Sequence, residues 1–192
     1  MRKLERTDVP ACLRENAPAW TEAFMAARQQ DSGYKFRWHR DCYPEIRQQL
    51  REMTQGHCAF CDGPVGIESR ETVEHFRPKS RFPELAYQWE NLFPCCDVCQ
   101  ANKRERFEDG LLKPDAHDYD FNRYFVVNYQ SGELEPAPYA SEEAQQSARI
   151  TLDLYGLNEP ARKRARKREW DVFSQMGTAA NPEDFHYRFF LE

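Results

Sequence analysis

Two amphipathic helices are predicted in the first third of the chain from the spacing of its apolar residues. The first falls between Pro18 and Gly33, and its apolar positions at i, i+4 and i+7 are Trp20, Phe24 and Ala27. The second follows Pro44 and repeats that spacing with Ile46, Leu50 and Met53. Gly56 supplies a C-terminal stop, and Cys58 comes two residues later. We therefore expect the second helix to lead directly into the site that the cysteines form.

The middle of the chain, residues 58–107, contains short elements rather than long periodic ones. It is rich in proline, cysteine and aromatic residues, with strand-like runs only at residues 71–75 and 89–93. A small irregular fold of this kind needs an additional cross-link, such as a bound metal ion, to be stable. Beyond it, the runs at residues 124–129 and 133–136 flank Gly132 and predict a hairpin.

Two more helices are predicted towards the C-terminus. One begins at Ser141 and stops at Gly156, with one face formed by Ala144, Ala148, Leu152 and Tyr155. Asn158 caps the next, which runs to about Met176 and has a narrow apolar stripe of Ala161, Ala165, Val172 and Met176. The basic run at residues 162–168 either tracks a nucleic-acid backbone or an acidic partner, or forms a solvated helix surface.

The tail, residues 184–192, is too aromatic to end in solvent. It either docks on the core or marks a truncated chain.

Composition limits the class of protein more than its chemistry. A chain of 192 residues with 40% apolar content can bury one core, alone or with a small metal-stapled module. We expect a helical segment over residues 1–56, a core over 57–110, and a hairpin and helical segment over 111–192, all in one compact unit. No apolar run approaches the roughly 20 residues that cross a bilayer, so we expect a cytoplasmic protein without membrane contact. The net charge of −5 means that the placement of the basic residues matters more than their number.

Two CxxC pairs, Cys58 with Cys61 and Cys96 with Cys99, are the strongest chemical feature of the chain. Each pair presents two sulfurs to one ion, and together they complete a tetrahedral shell with Zn–S bonds of about 2.3 Å. Because that shell leaves no open position, the Zn²⁺ would be structural and would contribute to folding. A redox dithiol would not explain why there are two pairs.

The other three cysteines are assigned no metal. In a reducing compartment the seven cysteines are not expected to form disulfides. We expect Cys95 to be a buried bystander, and Cys12 and Cys42 to be thiols of the core.

Between the CxxC pairs, an acid and an imidazole follow one another at the end of a short strand-like run. Glu74 and His75 precede a basic loop that contains Pro78. Adjacent residues of a regular strand point to opposite faces, so these two side chains converge only if the strand ends or bends there. After the second CxxC pair a short helix is predicted, with several basic residues at residues 103–106.

These motifs resemble the HNH, or ββα-metal, nucleases of the zinc-stapled type. Four segments carry the resemblance, at residues 58–61, 73–80, 89–92 and 102–107. Their amino-acid sequences are similar to those of the PtuB-type effectors of Septu and retron anti-phage systems. The core motif covers about fifty residues, 58–107; beyond it the resemblance is weaker, and the N-terminal helices and residues 111–114 are similar in layout only. The resemblance implies an α+β fold in which a zinc-stapled, treble-clef-like ββα-metal core is flanked by N- and C-terminal α-helices.

The resemblance also implies a role for each matching residue. His75 would be the general base that takes a proton from water, and Asn91 would position the loop that orients it. Glu74 would ligate a catalytic Mg²⁺ or another divalent ion, or would only orient His75. The family has Asn or His where Gln100 stands, so the second metal ligand remains open between Gln100 and Asn102. Four basic residues would hold phosphate oxygens: Arg77, Lys79, Lys103 and Arg104.

The function implied is a metal-dependent endonuclease that hydrolyses phosphodiester bonds of DNA or RNA, tRNA included, as the toxic effector of an anti-phage complex. Its implied partners are the nucleic acid, an ABC-type ATPase resembling PtuA and, in retron systems, a reverse transcriptase with its RNA–DNA product. A non-catalytic zinc module that binds nucleic acid or protein would use the same cysteines without needing Glu74, His75 and Asn91. Both interpretations remain open from the sequence, which also does not separate DNA from RNA.

Overall fold

The computed structural model describes residues 1–66 and 69–191, and over these residues the chain combines α-helices, short strands and 3-10 turns. The predicted α+β class is confirmed. Two separate antiparallel sheets of two strands each form, and helices contact both of them. Glu192, the last residue of the predicted tail, lies outside the described residues.

Both predicted N-terminal helices are present, as α1 at Ala11–Gln30 and α2 at Tyr43–Thr54. α1 begins earlier than predicted, and Pro18 falls inside the helix rather than ahead of it. α2 has Pro44 in its first turn, where the missing N–H costs no helical hydrogen bond. It buries two of the three positions that the periodicity assigns to its apolar face, Ile46 and Leu50.

The prediction that Cys12 and Cys42 are core thiols is wrong, because the two residues form a disulfide. Their Cα atoms are 5.6 Å apart, within the usual range for this bond. The connection at residues 31–42 returns along α1, where the ring of His39 stacks on that of Trp20 at 3.8 Å between centroids. This return brings Cys42 back to the start of α1, and no local sequence pattern indicates such a tertiary contact.

The sheet that organises the site pairs β1, Glu71–His75, with β2, Leu92–Cys96. In the antiparallel register His75 lies opposite Leu92. α3, Asp97–Lys103, follows β2 without a connecting residue and contacts both strands. The connection between the two strands contains two 3-10 turns, Pro83–Leu85 and Trp89–Asn91.

The C-terminal half begins with a short helix, α4 at Phe121–Tyr124, and the predicted hairpin of β3, Phe125–Asn128, with β4, Glu133–Pro136. α5 spans Glu142–Leu154. The hydroxyl oxygen of Ser141 accepts a hydrogen bond from a backbone N–H of the first turn, so this residue is the N-cap that the sequence predicts.

α6 spans Pro160–Met176 and is preceded by Glu159 rather than capped by Asn158 as predicted. The Asn158 side chain serves a tertiary contact instead. Its Oδ1 accepts from the backbone N–H of Leu134 at 3.0 Å, and its Nδ2 donates to the carbonyl of the same residue at 2.7 Å. These two bonds tie the start of α6 to β4.

The buried face of α6 carries arginines, not the predicted apolar stripe. Arg162 is 7% exposed and Arg166 is fully buried, whereas three of the four stripe residues are exposed, Ala161, Val172 and Met176. The guanidinium of Arg166 donates to the carbonyls of Gly132 and Leu157, both at 2.7 Å. A buried cation is tolerated where such donors are satisfied. Two of the six cationic residues at 162–168, which were expected to track phosphates or to form a solvated surface, therefore support the interior instead.

The aromatic tail docks on the core, one of the two outcomes expected from the sequence. Phe189, Phe190 and Leu191 are buried in the cluster that surrounds the CxxC cysteines. Next to them Arg188 forms a buried ion pair with Asp62, with Nη2 and Oδ1 2.6 Å apart. None of the helices in the described parts of the chain is long and apolar enough to cross a membrane.

Candidate active site and metal centre

The four cysteines of the CxxC pairs converge into one buried group. Their sulfurs all lie within 4.8 Å of one another, and Cys61 Sγ is 3.7 Å from Cys96 Sγ. A tetrahedral ion with bonds of about 2.3 Å places neighbouring sulfurs about 3.8 Å apart. The spacing and the all-sulfur donor set therefore fit a structural metal such as zinc, held by Cys58, Cys61, Cys96 and Cys99.

Local structure explains how each pair is presented. Cys58 follows α2, and its carbonyl accepts from the N–H of Asp62 in a tight turn at 2.9 Å. Cys96 is the N-cap of α3, where its Sγ accepts from the N–H of Cys99 at 3.3 Å. Cys95, the residue before Cys96 in β2, is fully buried and is not one of the four cysteines of the group, which fits the prediction of a bystander. Burial raises the pKa of its thiol well above the usual range.

Arg162 approaches the cysteine group from α6. Its Nη2 lies 3.2 Å from Cys99 Sγ and 3.7 Å from Cys96 Sγ. Burial by itself lowers the pKa of this guanidinium, but the neighbouring cysteine sulfurs outweigh that effect and the pKa is raised. A cation here offsets the negative charge of four thiolates on one ion. The sequence did not reveal this role, because Arg162 is one of six cationic residues in a single run.

His75 ends β1 as a buried, neutral imidazole. It is 5% exposed, and its Nε2 lies 2.9 Å from the carbonyl oxygen of Ala86. Because a carbonyl only accepts, Nε2 carries the proton and Nδ1 keeps the lone pair. The ring is enclosed by Phe36, edge-on at 5.2 Å, and Trp38, stacked at 5.4 Å. Burial lowers the pKa of His75 to about 3, so the form able to accept a proton predominates at neutral pH.

Asn91 holds the segment that follows His75. Its Oδ1 accepts from the N–H of Arg77 at 2.8 Å, while its Nδ2 donates to the carbonyls of Arg77 and Leu85 at 3.0 and 3.1 Å. The carbonyl of Asn91 also accepts from the N–H of Phe76 at 2.9 Å. These contacts connect the chain just after His75 to the 3-10 turn just before its partner carbonyl.

Glu74 and Lys103 form a buried ion pair, with Oε1 and Nζ 2.7 Å apart. The ammonium also donates to the carbonyl of His75 at 3.1 Å, and its side chain is fully buried. Burial raises the pKa of the Glu74 carboxyl, which Lys103 opposes. The ammonium of Lys103, which was expected to hold phosphate, is thus engaged inside the protein by Glu74. Lys103 lies one helical turn after Cys99, on the face of α3 that packs against β1 and β2.

A cavity of about 190 Å³ opens beside His75, and its lining is Glu74, His75, Pro78, Lys79, Gln100, Arg104 and Glu105. Gln100 Nε2 donates to the carbonyl of Val73 at 3.2 Å. Asn102 lines a different cavity, near Gly156. Two residues along a helix correspond to roughly 200° of rotation, so Gln100 and Asn102 face different cavities and Gln100 is the one that lies beside Glu74.

The predicted phosphate-binding residues divide between this cavity and other places. Lys79 and Arg104 line the cavity. Arg77 lies outside it, with its guanidinium over the rings of Phe82 and Phe107 at 5.4 and 5.3 Å. Glu105, which the sequence analysis did not single out, contributes a carboxylate to the lining and accepts from the hydroxyl of Ser80. Its position among alternating charges at residues 103–106 gave no distinguishing pattern.

No model of a known protein family matches the chain. It is 27% identical to the Septu protein PtuB of Bacillus thuringiensis over 119 residues, which cover 60% of this chain and 42% of that protein. It is 26% identical to the Septu protein PtuB of Bacillus mycoides over 126 residues, covering 56% of this chain and 42% of the relative. The putative HNH endonuclease of retron Vc95 from Vibrio cholerae is 24% identical over 132 residues, with 65% and 62% covered.

The chain thus spans less than half the length of the two Septu relatives. The similarity extends well beyond the fifty residues that carry the HNH motifs, since the matches cover 119 to 132 residues. The resemblance inferred from the motifs is confirmed: the chain is similar to the HNH-type, PtuB-like proteins of Septu and retron systems.

Proposed function

We propose that the chain is a metal-dependent HNH endonuclease and that β1, β2 and α3 form its ββα-metal core. The observation that carries the proposal is the state of His75. Its Nε2 donates a hydrogen bond to the carbonyl of Ala86, and its Nδ1 therefore has the lone pair. The side chain lines the same cavity as Glu74 and Gln100. A neutral imidazole fixed in one tautomer keeps one lone pair free for the proton of an attacking water, which is the geometric requirement of a general base.

The residues of the chain have distinct tasks in phosphodiester hydrolysis. Nδ1 of His75 accepts the proton of the attacking water, while Nε2–H stays on the Ala86 carbonyl and keeps the ring in place. Asn91 fixes the backbone on both sides of this arrangement. Lys79 and Arg104 hold non-bridging phosphate oxygens through charge-assisted hydrogen bonds. General-base help of this kind contributes about 10²–10⁴-fold to the rate.

The remaining rate enhancement calls for a divalent ion, for which the oxygen donors of the cavity fit. Mg²⁺ is usually held by one or two carboxylates and keeps several waters. The donors would be the carboxylate of Glu74, to whose Oε1 the ammonium of Lys103 also donates, and the amide oxygen of Gln100, whose Nε2 donates to the carbonyl of Val73. When bound, the ion polarises the phosphate and neutralises charge on the leaving oxygen.

The names of the relatives extend the proposal to biology. We infer from the names of these relatives that the chain is the nuclease of a Septu- or retron-type system. The family resemblance, rather than those names, implies the rest of the proposal: a cytoplasmic, toxic effector that acts on DNA or RNA with an ABC-type ATPase and, in retron systems, with a reverse transcriptase and its RNA–DNA product.

A second candidate function is a non-catalytic zinc module that binds nucleic acid or protein. The burial of Glu74 and His75, at 4% and 5% exposure, favours it, because an ion pair with Lys103 and a hydrogen bond to a carbonyl are also structural contacts. In that case the two side chains would stabilise the β1–α3 interface and have no substrate.

Nuclease assays with added Mg²⁺ separate the two functions. The chain, alone and co-purified with its ATPase partner, is incubated with single- and double-stranded DNA and with RNA. We expect cleavage by the wild type, a loss of at least about 100-fold in His75→Ala, and no change in the exposed control His117→Ala. Wild-type cleavage that His75→Ala retains, or no cleavage by either form of the wild type, would instead support the non-catalytic module.

A further inference from the structure

The connection between α1 and α2 alternates aromatic and cationic side chains, a feature that the HNH motifs do not include. Tyr34, Phe36 and Trp38 alternate with Lys35 and Arg37, and His39 and Arg40 follow. Phe36 and Trp38 are partly buried, whereas Lys35, Arg37 and Arg40 are exposed. One side of this segment therefore presents rings to the protein, and the other presents positive charge to solvent.

The rings help to enclose a cavity of about 210 Å³, which we call the aromatic pocket. Its lining is Trp20, Ala23, Phe24, Tyr34, Arg37, Trp38, His39 and Tyr87. The volume equals that of about seven water molecules in the liquid, at about 30 Å³ each. That is room for one flat heterocycle among aromatic walls. Tyr34 stands at the rim, 46% exposed.

The aromatic pocket lies directly beside the proposed general base. The ring of Trp38 lines the pocket and also stacks on the imidazole of His75, with 5.4 Å between centroids and 19° between planes. Phe36 touches both Trp38 and His75, at 4.9 and 5.2 Å. One layer of aromatic side chains therefore separates the pocket from the cavity that contains Glu74 and His75.

We propose that the aromatic pocket binds an unstacked nucleobase of single-stranded nucleic acid, and that Lys35, Arg37 and Arg40 contact the phosphates beside it. Every base has a π-face, so stacking on aromatic rings holds bases with little sequence preference. A base of a duplex would first have to leave its stack and its pair. Because the pocket adjoins His75, the bound base would lie next to the phosphate that is cleaved. This second statement rests on the proposed nuclease function, whereas the binding of the base does not.

The test is direct binding by the full, zinc-loaded chain without added Mg²⁺, so that no cleavage intervenes. The probe is a labelled single-stranded oligonucleotide followed by fluorescence anisotropy, and a second version contains the fluorescent base 2-aminopurine. We expect the single strand to bind more tightly than its duplex, and 2-aminopurine fluorescence to be quenched on binding. Tyr34→Ala should weaken binding by about 5- to 150-fold, the range measured for losing one base–aromatic stack, while Tyr34→Phe should retain affinity.

Two matched controls separate stacking from general attraction. Tyr139→Ala removes a tyrosine that is 69% exposed in another part of the fold, and Arg149→Ala removes an exposed cation of α5. Both should bind like the wild type, whereas Arg37→Gln should weaken binding and reduce its salt dependence. Thermal unfolding of Tyr34→Ala should match that of Tyr139→Ala, because both side chains are exposed.

The proposal is overturned if duplex and single strand bind equally, if 2-aminopurine is not quenched, or if Tyr34→Ala binds like Tyr139→Ala. Its failure can be told apart from that of the nuclease. A chain that cleaves but passes none of these binding tests refutes the aromatic pocket alone. A chain that passes them but never cleaves refutes only the nuclease.

Discussion

Arg162→Met would remove the cation that contacts the cysteine group while keeping most of the side-chain volume. In the structure, the Arg162 guanidinium is buried and donates to Cys99 Sγ at 3.2 Å and to Cys96 Sγ at 3.7 Å. Four thiolates on one divalent ion have a net charge of −2, and this arginine is placed to offset part of it. We therefore expect the variant to bind zinc more weakly and to be less stable when zinc is bound.

The magnitude follows from the contacts. A hydrogen bond to a charged group contributes about 1.5–3 kcal/mol, and the longer contact to Cys96 adds little to the one at 3.2 Å. Loss of a group that supports metal ligands typically lowers metal affinity about 10–100-fold. The two estimates agree, because ten-fold in affinity is about 1.4 kcal/mol. Arg162→Met should thus lose about 1.5–3 kcal/mol of unfolding free energy in the zinc-loaded state.

Competition with a chromogenic zinc chelator and urea unfolding measure the two quantities. The matched control is Arg164→Met, an exposed cation two residues further along the same helix, which should change neither. If Arg162→Met holds zinc as tightly as Arg164→Met and unfolds at the same urea concentration, the guanidinium does not support the metal centre. Buried charges are costly to desolvate, so a more stable variant would also refute the reasoning.

Three other buried contacts give measurable expectations. Asn91→Ala removes three hydrogen bonds to backbone groups and should cost about 3 kcal/mol in urea unfolding; a loss under about 1 kcal/mol would contradict this. His75 has a folded-state pKa of about 3 against about 6.5 when unfolded, so protonation favours unfolding. Its stabilising effect is present above pH 6.5 and is lost as the pH falls towards 3. The wild type should lose about 2 kcal/mol more than His75→Gln between pH 7 and 5, and equal losses would refute the burial. Reducing the bond between Cys12 and Cys42 should lower the unfolding free energy by up to about 4 kcal/mol, as expected for a sequence separation of 30. The double variant Cys12→Ser with Cys42→Ser should not respond to reductant, and a wild type that also does not respond would argue against the disulfide.

Much of the fold could be predicted where local chemistry decides it. The periodicity of Ile46 and Leu50 identified α2, and the Ser141 cap located the start of α5. The strand-like run before His75 is β1, and the turn at Gly132 joins the hairpin of β3 and β4. These features depend on residues only a few positions apart, which is the range over which sequence patterns report backbone hydrogen bonding and exposure.

Buried charge was where prediction from the sequence failed. Lys103, Arg162 and Arg166 belong to basic runs that are typical of solvated or phosphate-binding surfaces, yet all three are buried. Each is buried because a partner from a distant part of the chain satisfies it. Lys103 meets Glu74 across α3 and β1, and Arg166 meets the carbonyl of Gly132 in the β3–β4 turn. A hydrophobic scale assigns such residues to the outside because it cannot include those partners.

The candidate site shows the same division. Two CxxC pairs within residues 58–99 were enough to predict one four-cysteine group. Two residues between the cysteines of a pair allow the chain to turn so that both sulfurs face the same ion. Gln100 and Lys79 line the cavity beside His75, whereas Asn102 and Arg77 do not. This placement depends on how α3 and the loop after β1 pack, which the sequence does not indicate.

The sequence by itself therefore determined the group of four cysteines, the order of the elements around it and the identity of the imidazole between the two CxxC pairs, because these depend on short spacings. Only the tertiary structure decided what surrounds that imidazole. The return of residues 31–42 along α1 places Phe36 and Trp38 against His75, encloses its ring and forms the aromatic pocket beside it. Those contacts join residues almost forty positions apart, and burial and electrostatics act through space rather than along the chain.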